Sequence, residues 1–345
     1  MHKRTFLKAL GIGGLYISFP RLLSGTPVSK NENLPPLLVD AKGKPIRSLS
    51  KWKKQRKIIL KRWSDYLGAL KPNPSVPQLR VLSEEITEGI IRRYVEYEGE
   101  PGMLDRGYLL MPEQINGKLP GVVAMHSTSD FEMLHISGAK EGKIVPFGYR
   151  LAKMGFVVFC PQCFLWRDRG DRTYPEQVKR FTDRHPRSKG MAKMLFDAQR
   201  AVDVLVSLKE VDANRIGSMG HSLGAKEALY LSAFDDRVKV TVSNEGGVGI
   251  KFTNWDDVWY LDKDIHQFGH EQHEVLALSA PKPFLLIGGG DADGEKSRPY
   301  IEAVWPIYDL YGSKRDNLQL YSHDEGHMVN AEGERRTYEW IVKHL

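Results

Sequence analysis

Cysteine is scarce in this sequence: its 345 residues contain only Cys160 and Cys163. Their Cys-x-x-Cys spacing occurs in redox and metal sites, but no second cysteine pair accompanies them. Three histidines, His266, His270 and His273, have a spacing compatible with one face of a helix, yet no Asp or Cys cluster stands beside them. The sequence therefore predicts neither redox catalysis nor a metal site.

Acidic residues are missing from the start of the chain, where none precedes Glu32. The first four residues are basic in character, and an apolar stretch with glycines follows at Ala9–Phe19. This order is typical of an export signal, and the stretch is too short to remain as a membrane-spanning helix. The segment Lys3–Lys8 also resembles a twin-arginine signal with Lys in place of the first Arg. We therefore expect residues 1–28 to direct export to the periplasm or the medium.

The sequence has no strong charge excess once that signal is removed. Four basic residues lie within residues 1–28, so the formal net charge of +7 falls to about +3 without them. This mild charge gives no support to nucleic acid as a partner, and nothing beyond export indicates a membrane. A polar linker and an amphipathic helix at about Ser50–Leu70 follow in residues 29–75, and the basic residues of that helix are interpreted as a solvated face.

The remaining residues, 76–345, contain no internal repeat. The full sequence is 41% hydrophobic, and a segment of this length can bury one large core. Residues 91–97 alternate polar and apolar side chains, which predicts antiparallel first strands. Beyond them, strand-like and helix-like segments alternate, which predicts an α/β fold with a mostly parallel central sheet flanked by helices. Those segments are strands at Arg106–Met111, Gly121–Met125 and Val157–Phe159, and helices at Pro146–Met154 and Lys189–Leu208.

Ser222 stands at the centre of Gly220-His221-Ser222-Leu223-Gly224, between a short apolar strand and a helix-like segment. In that context G-x-S-x-G indicates a nucleophile elbow, a strained turn from strand to helix that exposes the serine. Glycines are needed two residues to either side because the turn leaves no room for side chains. We therefore predict that Ser222 is a catalytic nucleophile.

A serine nucleophile needs a base, and the sequence offers two histidines in the loop after the last predicted strand, Leu318–Tyr321. His327 is preferred because Gly326 directly precedes it and frees the loop to turn the ring back toward Ser222. His323 is the alternative base, or else a solvated loop residue.

An acid must orient that base, and it is expected at the end of a later strand. Pro283–Ile287 reads as a buried parallel strand that runs into a glycine-rich loop with Asp291 and Asp293. Asp291 gives the chain order Ser, Asp, His that is expected of α/β-hydrolases. Asp293 remains an alternative acid, because a glycine-rich loop does not fix which carboxylate points inward. Glu245 is a third candidate, because it comes after the strand that follows the elbow helix.

Two backbone N–H donors should stabilise the oxyanion that forms during acyl transfer. One is predicted at Leu223, directly after the nucleophile. The other is predicted at Ser127, with Thr128 as the alternative, in the loop after the strand Gly121–Met125. His126 in the same loop is either a substrate contact or a buried structural histidine.

These stretches resemble an α/β-hydrolase of the carbohydrate esterase type, near the acetyl xylan esterases, dienelactone hydrolases and glucuronoyl methylesterases. The resemblance spans most of residues 35–345; besides the elbow and the helix with Trp52, Ser243–Gly247 and Gln272–Pro283 carry it. It implies that Lys226 contacts a sugar. The glucuronoyl methylesterases have an Arg directly after their Ser, where this chain has Leu223, so the acyl group and the sugar stay open.

The combined expectation is a serine esterase that acts on an acetylated or uronate-esterified glycan through an acyl-enzyme and needs no cofactor. Aromatic rings stack on sugars, so Trp166, in the insert Phe164–Ser188 over the site, and Trp255 are predicted to contact substrate together with His126 and Glu245. The alternatives are a prolyl oligopeptidase-like peptidase and a non-catalytic glycan-binding protein on a hydrolase scaffold.

Overall fold

The structure is a computed structural model that describes residues 34–129, 131–142, 144–290 and 294–345. The predicted export signal lies outside the described residues, as do Asp291 and Asp293. The assignments made for these parts of the chain therefore stay predictions.

The described residues form one nine-stranded sheet with the order β1-β2-β3-β5-β4-β6-β7-β8-β9. Strands β1, β2 and β3 pair antiparallel, and β3 also pairs antiparallel with β5. The six strands β5, β4, β6, β7, β8 and β9 pair parallel, as the sequence predicted. The strands are β1 (Arg80–Thr87), β2 (Ile90–Glu98), β3 (Leu104–Pro112), β4 (Leu119–Met125), β5 (Val157–Pro161), β6 (Val211–His221), β7 (Val238–Asn244), β8 (Phe284–Gly289) and β9 (Leu318–His323).

Helices cover both faces of the sheet. They are α1 (Leu49–Leu67), α2 (Glu132–Ile136), α3 (Phe147–Lys153), α4 (Tyr174–Thr182), α5 (Gly190–Ser207), α6 (Leu223–Phe234), α7 (His273–Leu278), α8 (Arg298–Leu310) and α9 (Ala331–His344), with short 3₁₀ helices at Lys263–Gln267, Glu295–Ser297 and Arg315–Asn317. The predicted mostly parallel sheet with flanking helices is confirmed. None of the helices within the described ranges is long and apolar enough to span a bilayer.

Strand β5 shows how the core is divided, because its successive side chains point to opposite faces of the sheet. Val158 and Cys160 pack with the side chains of α3 and α9, whereas Val157 and Phe159 pack with those of α5. Cys163 joins a third cluster, on the side of the sheet away from Cys160. Both cysteines are free thiols, and burial raises the pKa of each thiol well above its ordinary value.

Helix α1 begins one residue before the predicted start and ends at Leu67, three residues before the predicted end. Gly68 ends it in the left-handed conformation, which glycine adopts without strain. Trp63 is completely buried, and its indole N–H donates to Glu274 on α7 over 2.9 Å. The amphipathic helix therefore contributes to the core and presents its lysines to solvent.

The parallel pairing decides where the functional loops lie. Strands β4, β6, β7, β8 and β9 run in the same direction, so their carboxyl ends meet at one edge of the sheet. The residues that follow these strands are therefore brought together although they are up to about 200 positions apart in the chain. This edge carries the candidate site.

Candidate active site

Ser222 occupies the turn between β6 and α6 in a strained backbone conformation, with φ 55° and ψ −111°. Its N–H donates to the carbonyl of Asn244 at the end of β7 over 2.8 Å, which ties the turn to the sheet. A Cβ atom on Gly220 would clash with the carbonyl of Gly224, and one on Gly224 would clash with the carbonyl of Met125. The glycines of the motif are therefore required by close packing of backbone, as expected for a nucleophile elbow.

His327 is the histidine that the structure brings to Ser222: its Nε2 lies 3.0 Å from Ser222 Oγ. Gly326 precedes it with φ 82°, a conformation that glycine supplies without strain, and this bend directs the ring toward the elbow. The side chain of His327 is 55% exposed, so the site opens directly to solvent. His323, the alternative base, contacts Glu245 instead.

Glu245 follows β7 and is completely buried, with a φ of 60° that is unusual for a residue with a side chain. Its Oε1 lies 2.8 Å from His323 Nε2, and its Oε2 accepts the N–H of Gly289 over 3.0 Å. The same Oε2 lies 3.9 Å from His327 Nδ1, too far for a hydrogen bond. The prediction that Glu245 contacts substrate is therefore wrong, because its carboxylate faces two histidines and a backbone amide inside the protein.

The burial of His323 was not predicted from the sequence. The sequence places the residue in a loop after the last predicted strand, where a histidine is usually solvated. Strand β9 extends two residues further than predicted and ends at His323. Tyr321 and His323 consequently share one face of the strand, with ring centroids 5.8 Å apart, and the side chain of His323 is 3% exposed. The period-two spacing from the strand to His323 was the available signal.

His126 is the buried structural histidine of the two alternatives, and the prediction that it contacts substrate is wrong. Its Nε2 accepts the backbone N–H of Cys163 over 3.0 Å, so the proton of the neutral ring lies on Nδ1, which donates to the carbonyl of Ser127 over 2.9 Å. Burial lowers the pKa of His126 to about 4. The neutral ring thus ties the loop after β4 to the loop after β5.

The burial of His126 makes the stability of the fold depend on pH. In the unfolded chain the ring has a pKa near 6.5, whereas in the folded protein its pKa is about 4. Between these two values the unfolded state therefore binds a proton that the folded state does not. The free energy of unfolding should therefore fall as the pH falls from 7 to 5, by about 2 kcal/mol from this residue. We expect the free energy of unfolding of His126→Gln, measured by urea titration at pH 7 and at pH 5, to change less between the two pH values than that of the unaltered protein. The exposed His266→Gln is the control, and an unchanged difference for His126→Gln would contradict the expectation.

The predicted oxyanion donors lie at the start of α6 and in the loop after β4, whose backbones approach closely at Gly224. Leu223 is the first residue of α6, so its N–H is among those that a helix leaves without an intrahelical acceptor. Ser127 and Thr128 follow β4, and His126 fixes the orientation of the peptide between them through the carbonyl of Ser127. The choice between Ser127 and Thr128 as second donor stays a prediction.

The predicted sugar contacts are more enclosed than expected. Lys226 is 4% exposed, donates to the carbonyl of Gly246 and lies with its Nζ 4.3 Å from the ring centre of Trp255. Trp255 is completely buried and Trp166 is 4% exposed, so in this structure neither ring offers a face to a sugar. Trp166 instead packs edge-on against His126, with ring centroids 4.8 Å apart. The substrate-contact prediction for both tryptophans is therefore wrong.

A second histidine, His221, packs on the ring of His327 with centroids 5.9 Å apart and an angle of 26° between the planes. Burial, and after it the neighbouring His327, lowers the pKa of His221 to about 4. His221 is therefore neutral at neutral pH and does not oppose a positive charge on His327.

The three histidines with helical spacing contact three different protein groups. His270 lies 3.0 Å from Glu274, His273 lies 2.8 Å from the carbonyl of Pro35, and His266 lies 3.3 Å from Asp256. Across the described ranges, no group of three or more His, Cys, Asp or Glu side chains is arranged to hold a metal ion.

Comparison with known proteins identifies the family to which the chain belongs. The model of the dienelactone hydrolase family matches residues 106–282, just over half of the chain. The protein YtaP of Bacillus subtilis (strain 168) is 27% identical over 288 residues, which cover 77% of this chain and 93% of that protein.

Two solved structures share the fold. A glucuronoyl esterase from Solibacter usitatus matches with a TM-score of 0.74 and 17% identity over 91% of this chain and 98% of its own. A CE15 glucuronoyl esterase from Teredinibacter turnerae T7901 matches with a TM-score of 0.68 and 19% identity, and the match covers 90% of this chain and 89% of that chain. On the family match, the chain belongs to the dienelactone hydrolase family of the α/β-hydrolase superfamily and is a carboxylic ester hydrolase of the serine type.

Proposed function

We propose that this protein hydrolyses a carboxylic ester carried by a carbohydrate, with Ser222 as nucleophile, His327 as base and Asp291 as the acid assigned from the sequence. The observation that carries the proposal is the 3.0 Å contact between His327 Nε2 and Ser222 Oγ at a strained strand-to-helix turn. A serine becomes a useful nucleophile only when a base removes its proton, and this contact supplies the base.

The reaction proceeds in two steps. Ser222 Oγ attacks the ester carbonyl carbon while His327 Nε2 takes the hydroxyl proton, and the carbonyl oxygen becomes an oxyanion near the N–H groups of Leu223 and Ser127. The intermediate collapses, the bond to the alcohol breaks, and His327 returns the proton to the leaving oxygen. Water then attacks the acyl-enzyme with the same assistance and releases the acid and free Ser222.

The openness of the site favours an ester carried on a larger molecule. A base that is 55% exposed can be approached by an ester attached to a polymer, whereas a deep pocket would admit only small molecules. From His126 a row of aromatic rings leads outward: Trp166 contacts Tyr174 at 5.0 Å, and Tyr174 contacts Trp259 at 5.9 Å. The half-buried Tyr174 and Trp259 thus replace Trp166 and Trp255 as candidates for stacking on a sugar.

A panel of acetylated and methyl-esterified glycans, with p-nitrophenyl acetate and a prolyl peptide alongside, tests this function. We expect release of acetate or methanol from one glycan class and of p-nitrophenol from the small ester. Ser222→Ala should abolish both activities, whereas Ser83→Ala, exposed on β1, should retain them. Ester hydrolysis that survives Ser222→Ala would overturn the proposal. Cleavage of the peptide alone would favour the peptidase, and glycan binding without hydrolysis would favour the binding protein.

A further inference from the structure

We propose that His323 is a positioning residue for this reaction: it holds the carboxylate of Glu245 so that one oxygen faces the catalytic base His327. The inference rests on the proposed function. His323 does not touch Ser222 and acts only through Glu245.

The contact between the two side chains is buried on both sides. His323 Nε2 lies 2.8 Å from Glu245 Oε1, and the two side chains are 3% and 0% exposed. A buried carboxylate is costly unless its oxygens are hydrogen-bonded, so this contact has a direct effect on where Glu245 can lie. The pair is therefore a fixed part of the protein interior.

The direction of the hydrogen bond follows from the other nitrogen of the ring. The backbone N–H of Glu325 points at His323 Nδ1 over 3.4 Å, which makes Nδ1 an acceptor. Glu325 is itself held by Asn330, whose Nδ2 donates to its carboxylate over 2.6 Å. Because a neutral imidazole has one donor and one acceptor, Nε2 of His323 carries the proton and donates to Glu245.

Gly289 completes the arrangement in two ways. Its N–H donates to Glu245 Oε2 over 3.0 Å, so each carboxylate oxygen has its own donor. A Cβ atom at Gly289 would also clash with the ring of His323, so the absence of a side chain allows the ring to lie against this backbone. The carboxylate is thus clamped between the end of β8 and the end of β9.

The clamp matters for catalysis because of what Oε2 faces. It lies 3.9 Å from His327 Nδ1, on the opposite side of the ring from Ser222. When His327 takes the serine proton it becomes an imidazolium, and a carboxylate held at that distance stabilises the new charge. Stabilisation of this kind depends on a group that is fixed before the reaction, since a carboxylate free to move would be poorly placed. Without the donor at His323, Oε1 of Glu245 would lose this hydrogen bond, and the carboxylate would be less firmly placed.

Two amide substitutions of His323 separate the hydrogen bond from simple packing. The side-chain nitrogen of Gln reaches about as far from the backbone as Nε2 of His, whereas that of Asn reaches only as far as Nδ1. His323→Gln can therefore still donate to Glu245, and His323→Asn cannot. We expect kcat on p-nitrophenyl acetate to fall about tenfold for His323→Asn and to stay within about threefold for His323→Gln, with KM unchanged in both.

A double-mutant cycle with Glu245→Gln asks whether His323 acts through Glu245. In the Glu245→Gln background, His323→Asn should lower kcat by no more than about twofold, because the group it positions has already lost its charge. The labelling rate of Ser222 by a fluorophosphonate, which reports nucleophile activation whatever the natural substrate, should follow the same pattern. Circular dichroism checks folding, and His323→Ser, which also cannot reach Glu245, replaces His323→Asn if that variant does not fold.

The outcomes separate this inference from the function on which it rests. Equal kcat for the Asn and Gln variants, or effects of His323→Asn and Glu245→Gln that multiply, would overturn the positioning role. A fall in thermal stability with unchanged kcat and labelling rate would overturn it too. Failure of the fluorophosphonate to label Ser222 in the unaltered protein would overturn the proposed function itself, whereas normal labelling with no effect at His323 would overturn this inference alone.

Discussion

Replacement of His327 by alanine is expected to lower kcat by about a thousandfold or more while the fold is retained. The Nε2 atom of the ring lies 3.0 Å from the serine hydroxyl oxygen, so its loss removes the group that takes the proton of Ser222. Because the side chain is 55% exposed, its removal should create no cavity and should leave the melting temperature close to that of the unaltered protein. Steady-state kinetics on p-nitrophenyl acetate and thermal unfolding measure the two effects.

The matched control is His266→Ala, since His266 is also an exposed histidine but contacts Asp256 instead of Ser222. It should leave kcat unchanged. His323→Ala should cost far less than His327→Ala, because His323 reaches the site only through Glu245. A larger loss at His323 than at His327 would move the base to His323 and would contradict the observed placement of the two rings.

The parts of the site that the sequence predicted well are those defined by local rules. The turn at Ser222 needs glycine at Gly220 and Gly224 because backbone atoms approach closely there. The five-residue G-x-S-x-G motif contains this requirement. The loop at His327 follows from a strand, a glycine and a closing helix. The parallel sheet follows from alternating strands and helices, and it brings these distant segments to one edge.

The parts that sequence reasoning placed wrongly are those decided by burial. Trp255 and Glu245 are residue types that can bind a sugar, and the sequence predicted that both contact substrate, yet both are completely buried. Whether these two side chains point inward depends on which elements pack over them, and the spacing of neither residue in the chain records that. His126 shows the same limit, because its two partners are backbone groups of Cys163 and Ser127, whose approach is a tertiary event.

Asp291→Asn is expected to be nearly inactive, with kcat lowered on the order of ten-thousandfold, because an imidazole without its orienting acid adopts the wrong tautomer and its cation loses support. The assignment rests on the sequence, where Asp291 follows the residues of β8, the strand beside the one that leads to His327. Glu245→Gln should lower kcat by a smaller factor, about tenfold to a hundredfold, because its carboxylate lies 3.9 Å from His327 Nδ1 without a hydrogen bond. Its buried position means that KM should not change.

Comparison of the two variants decides which carboxylate orients the base. Both replacements keep the size of the side chain, remove its charge and replace one carboxylate oxygen by an NH2 group. Asp324→Asn makes the same change at an exposed residue of the loop before His327, and this matched control should leave kcat unaffected. A greater loss of kcat for Glu245→Gln than for Asp291→Asn would transfer the role of orienting acid to Glu245. In that case Oε2 must move about 1 Å closer to His327 during the reaction to make a hydrogen bond, and the anchoring by His323 would govern that approach directly.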